Sequence, residues 1–116
     1  MFSFESLDVY QLALRFAKEI SKVTASLPRG HFSLIDQFRR ASTSIALNLA
    51  EGAGRYSKAE KRQFYRIAKG SSYECVPLIS IFEGLGLFTE EQAGNYKETI
   101  LRISKMLTRL IQSQEK

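Results

Sequence analysis

The sequence predicts an all-α fold, an antiparallel up-down-up-down four-helix bundle. Three observations point there: apolar residues recur at steps of three and four along four successive stretches, no comparable period-two run appears, and the links between stretches are short. In the first stretch Val9, Leu12, Phe16, Ile20, Val23 and Leu27 mark one helix face, with Asp8 or Ser6 as the expected cap and Pro28-Arg29-Gly30 as the stop. The second carries Leu34, Phe38, Ala41, Ile45 and Leu49 and is expected to end at Gly52, read as the residue just past the helix. The third opens at Ser57, where Ser57-Lys58-Ala59-Glu60 has capping-box spacing, and its stripe is Phe64, Ala68, Ser71, Cys75, Leu78 and Phe82. Pro77 lies inside it, removing a backbone donor and crowding the Tyr73 carbonyl, so a kink is expected there. The fourth opens with a second capping-box spacing, Thr89-Glu90-Glu91-Gln92, and runs through Tyr96, Ile100, Ile103, Leu107 and Leu110.

Composition narrows the function classes. The 116 residues suffice for one domain, 1–116, and not for two. One cysteine excludes an intramolecular disulfide framework, and one histidine beside it excludes the common zinc sites, so no metal and no cofactor is expected. No apolar run approaches the ~20 residues that span a bilayer, and the N-terminus shows no basic-then-apolar leader. A soluble cytoplasmic protein with no membrane partner is the expectation.

Groups for catalysis are in short supply. His31 follows the Pro28-Arg29-Gly30 stop and reads as a solvated loop histidine. Cys75 sits on the apolar stripe of the third helix, where a thiol is inert core. Glu90 and Glu91 read as helix-start acids, and Gly84-Leu85-Gly86 as a turn. The sequence therefore predicts a non-enzyme.

Charge is more informative. Seventeen Lys+Arg against twelve Asp+Glu give a net charge of +5. Arg55, Lys58, Lys61, Arg62, Arg66 and Lys69 are opposed only by Glu60, which places +5 within fifteen residues. Lys58, Arg62, Arg66 and Lys69 form one helical stripe, about 150° from the Phe64-Ala68-Cys75 face, with Tyr65 and Tyr73 on the basic side. Cations neutralise phosphates and tyrosines stack on bases, so these eight residues are the candidate nucleic-acid-binding set, with RNA ahead of DNA. A solvated helix face is the bland alternative. The loop Gly52-Ala53-Gly54-Arg55-Tyr56-Ser57-Lys58 adds a possible anion contact at a helix N-terminus, although it lacks P-loop spacing. Shorter basic stripes, Arg15-Lys18-Lys22 and Arg102-Lys105-Arg109, spread part of the charge over the chain.

The second helix carries a polar strip, Arg40, Ser44, Asn48 and Glu51, with Leu47 inside it and small residues alongside. Either the strip pairs with Glu74 or Arg66 inside the bundle, or it lines a subunit interface; both are structural roles.

Several segments resemble a known family. Gln37-Phe38-Arg39-Arg40-Ala41-Ser42 followed by Ser44-Ile45-Ala46-Leu47-Asn48-Leu49-Ala50-Glu51-Gly52 is similar to its central signature. The stretch from Phe64 to Glu74 is similar to its second, and Phe4 to Gln11 to its start. The family is the 23S rRNA-intervening-sequence, or S23-like, four-helix bundle proteins. The resemblance implies a bacterial cytoplasmic protein and a homo-oligomer, with a pentameric ring in some members. A related accessory protein of diversity-generating retroelements works with nucleic acid and a reverse transcriptase. Two functions are thus expected in competition: a non-catalytic oligomeric nucleic-acid binder, and a scaffold whose partner is another protein, such as a retroelement reverse transcriptase.

Overall fold

The computed structural model describes residues 1–115. A short 3₁₀ turn, Ser3–Ser6, precedes four helices: α1 Asp8–Ala25, α2 Phe32–Ala53, α3 Lys58–Gly84 and α4 Glu90–Ser113. No strand occurs among the described residues. Each helix packs on the next and α1 packs on α4, giving a molecule 46 Å long and 22 by 21 Å across. Contacts between α2 and α3 run in reverse order along the two helices: Ser44 meets Ser71, while Ala53 meets Lys61. The core is continuous along the length. Ile20, Ile45, Leu49, Cys75, Ile79, Ile103 and Leu107 fill it, and near the α3–α4 link Phe38, Phe82, Phe88 and Tyr96 pack ring to ring at centroid separations of 5.1–5.2 Å.

The caps explain most boundaries. Thr89 forms a full capping box: its hydroxyl accepts from the Gln92 N–H at 3.0 Å, and the Gln92 side chain accepts from the Thr89 N–H at 2.8 Å. Ser57 makes only half of one, since its hydroxyl accepts from the Glu60 N–H at 3.1 Å and donates to the Glu60 carboxylate. Gly86, at φ +74°, turns the chain between α3 and α4 in a conformation other residues resist.

Four expectations change. Neither Asp8 nor Ser6 caps α1; Leu7 occupies that position without a side-chain bond, and the Ser6 hydroxyl donates to Ser3 in the preceding turn. The first helix stops at Ala25 rather than Leu27, although Leu27 still packs on the core. Gly52 lies inside α2, not past its end. It is buried, and a Cβ there would come within 2.7 Å of the Tyr65 ring, so the glycine makes room for α3. Finally, the buried face of α3 keeps the expected Ala68, Cys75, Leu78 and Phe82 but is broader, with Tyr65, Ser72 and Ile79 buried beside them and Phe64 and Ser71 half-buried. Helix α3 continues through Pro77, which sits on its exposed side.

Candidate nucleic-acid interface

The width of the buried face of α3 decides what its cations do. Tyr65, expected beside them as a stacking group, is only 3 % exposed, and burial pushes its phenol pKa upward. That expectation is corrected: the ring is the wedge that fills the space over Gly52. Lys61, one turn before Tyr65, donates to the carbonyl of Ala53 at 2.9 Å and of Gly52 at 3.5 Å, both at the C-terminal end of α2. The Arg62 guanidinium donates to the Gln114 carbonyl just beyond α4. Both cations thus satisfy carbonyls that a helix end leaves without partners.

Arg55 folds back as well. Its guanidinium lies 3.7 Å from Glu51 and 4.7 Å from the centre of the Phe64 ring, and its Nε is buried without a hydrogen-bond partner among the described residues. Glu51, from the expected interface set, is therefore the counter-ion of a residue from the expected nucleic-acid set. The loop's use as an anion site weakens accordingly, because Ser57 already occupies the Glu60 N–H.

What remains outward is smaller and more coherent. Lys58, Arg66 and Tyr73 are exposed and Lys69 is half-buried. At about 100° per residue these four fall within roughly 80° of one another, one strip along α3. Arg66 has no ion-pair or hydrogen-bond partner among the described residues. The Lys69 ammonium lies 5.7 Å from the Tyr73 ring centre, so the strip's cation and aromatic group are already juxtaposed. Tyr56, fully exposed in the loop immediately before α3, was not singled out from the sequence as a site residue. Its position between Arg55 and Lys58 was the available signal.

The α2 strip does not make the internal pairing expected with Glu74 or Arg66. Arg40 pairs with Asp36 at 3.0 Å, one turn earlier on the same helix, and not with Glu74, which is exposed. Ser44 bonds to Ser71 of α3 at 2.8 Å, and Asn48 donates to the Ser44 hydroxyl and carbonyl, each at 2.9 Å. Of the five residues Ser44 alone thus fastens α2 to α3, and Asn48 braces it from within α2. Beside them Arg39, Arg40, Thr43 and Leu47 border a shallow groove of about 340 Å³, and Leu47 is 63 % exposed. Ile67 and Ile81 of α3 are also partly exposed, and neither was noted from the sequence.

Chemistry elsewhere is quiet. Cys75 is buried and its pKa is pushed up to about 12, first by desolvation and then by the nearby Glu74 charge, so at neutral pH it stays a protonated thiol. Among the described residues no three His, Cys, Asp or Glu side chains gather where they could hold a metal ion. No described helix is long and apolar enough to cross a membrane.

Comparison with known proteins agrees with the fold. Residues 5–109 match the family model described as 23S rRNA-intervening sequence protein. A crystal structure of a protein with unknown function, from the S23 ribosomal protein family of Bacteroides thetaiotaomicron, superposes with a TM-score of 0.82 at 24% identity, covering 89% of this chain and 97% of that one. No curated protein matches the chain.

Proposed function

The chain belongs to the 23S rRNA-intervening sequence protein family, and on that premise we propose that it is a non-catalytic, oligomeric bundle that binds nucleic acid, RNA ahead of DNA, through the outward strip of α3. The observation that carries this reading is that exposed Lys58, Arg66 and Tyr73 and half-buried Lys69 lie on one side of one helix. Phosphate neutralisation and base stacking need those two residue types at that proximity. An rRNA-linked family name adds support for RNA and for a cytoplasmic setting. The test is fluorescence anisotropy with a labelled structured RNA and a matched DNA. Binding should persist at physiological salt, fall steeply above it, and drop at least tenfold in an Arg66→Glu, Lys69→Glu variant of unchanged helicity. Equal binding by that variant overturns the assignment of the strip.

Self-association is the second part of the reading, and Leu47 supports it. Leu47 stands 63 % exposed on the edge of a groove that Arg39, Arg40 and Thr43 also border, a surface whose burial against another copy would remove apolar area from water. We propose that this α2 face meets another copy of the chain, with closure into a ring such as a pentamer. Native mass spectrometry of Leu47→Asp should then show the mass falling toward that of one chain. An unchanged assembly excludes this face. Should RNA binding fail while the assembly persists, the scaffold function, with a protein such as a reverse transcriptase as partner, takes precedence.

A further inference from the structure

Resting on the reading of the α3 strip as the nucleic-acid site, we infer that this site takes an unpaired strand rather than a duplex, with Tyr56 and Tyr73 as its stacking groups. Three observations lead there. The strip runs along one helix of a bundle 22 by 21 Å in cross-section, packed on α2 and α4. The A-form major groove of duplex RNA, the ligand favoured above, is deep and narrow and closed to side chains. A duplex could meet the strip only across its phosphates.

Exposed aromatic rings then have no use on a duplex. Tyr56 is completely exposed, and Tyr73 is 59 % exposed with the Lys69 ammonium near its ring. Against a sugar–phosphate backbone their faces would find no base. Against an unpaired strand each ring can stack on one, whatever its identity, because every base offers a π-face.

The order of groups along the helix fits the same ligand. From Tyr56 through Lys58, Arg66 and Lys69 to Tyr73 the chain alternates ring, cations and ring. Lys58 to Tyr73 spans about 22 Å at 1.5 Å per residue, room for several nucleotides. The Lys69 ammonium beside the Tyr73 ring sits where a phosphate attached to a stacked base would pass.

The test compares a fluorescein-labelled 16-nucleotide RNA without self-complementarity against the same strand annealed to its complement. The proteins are wild type, a Tyr56→Ala, Tyr73→Ala variant, and a Tyr56→Phe, Tyr73→Phe variant. The unpaired strand should bind at least tenfold tighter than the duplex. The alanine variant should lose at least tenfold on the strand and little on the duplex, and the phenylalanine variant should keep wild-type affinity because the rings remain. Equal affinity for strand and duplex, or an alanine variant as tight as wild type, overturns the inference and leaves the basic strip standing. Binding of neither RNA at low salt removes the strip itself as a nucleic-acid site, and the inference with it.

Discussion

Lys61 and Arg62 lie only a turn or two before Arg66 and Lys69 on the same helix, yet the two pairs face opposite tasks. The first pair reaches the carbonyls at the ends of α2 and α4; of the second pair, Arg66 projects into solvent and Lys69 lies over the Tyr73 ring. The difference is positional. Helices α2 and α4 both finish beside the start of α3, and the last carbonyls of any helix lack intrahelical donors and carry partial negative charge. A cation within reach of such an end is captured by it. Farther along α3 no helix ends nearby, and the same side-chain types stay available. Charge density in a sequence is therefore not charge density on a surface.

The comparison breaks most readily at the contact that sets it up. Gly52→Ala would drive a methyl to 2.7 Å from the Tyr65 ring and 3.0 Å from the Phe64 Cβ. It should destabilise the protein by about 1–3 kcal/mol in urea titration, despite alanine's better helix propensity. Undiminished stability would show that α3 can shift away from α2, and that Lys61 and Arg62 are not fixed inward. Next in size is Arg62→Ala, which leaves the Gln114 carbonyl without its charged donor and should cost about 1–2 kcal/mol. Arg66→Ala should cost less than about 0.5 kcal/mol, since it removes no internal bond. Binding should rank the other way, with RNA affinity falling for Arg66→Ala and holding for Arg62→Ala. Identical behaviour of the two variants in both assays would dissolve the distinction.

Much of the bundle was readable because it rests on periodicity and caps, which are local. Thr89 and Gln92 announce the start of α4, and the expected stripes reach the core on α1, α3 and α4 at Leu12, Phe16, Cys75, Phe82, Ile103 and Leu107. The extra width of the buried face of α3 was not readable. Phe64 and Tyr65 are adjacent aromatic residues, and either could begin the buried stripe; the choice falls to Tyr65 because a glycine on another helix leaves it a space. From the sequence that glycine looked like a helix stop, since nothing local distinguishes a cap from a hole. The same ambiguity misassigned Tyr65 as a surface group and counted Lys61 and Arg62 among free cations. Arg40 was likewise sought a distant partner, when Asp36 one turn away was the nearer acid.

The smallest effect separates the two regions most sharply, because it counts charges without altering any. Each phosphate neutralised on a single strand contributes about −0.7 to the slope of log affinity against log salt. Contact by all six cations from Arg55 to Lys69 would give a slope near −4. With Lys61 and Arg62 held by helix ends and Arg55 by Glu51, contact through the outward side alone, by Lys58, Arg66 and Lys69, should give roughly −2. Anisotropy titrations of the unpaired RNA across a range of salt concentrations measure that slope directly. A value near −4 would mean either that the inward cations leave their carbonyls on binding, or that the basic residues of α4, Arg102, Lys105 and Arg109, join the site. Repeating the titration with Arg62→Ala distinguishes these, since only the first explanation predicts that the slope shrinks by one phosphate. A slope near −2, unchanged in Arg62→Ala and reduced in Arg66→Ala, would leave the division of α3 into an inward and an outward region as the determinant of how many phosphates it can hold.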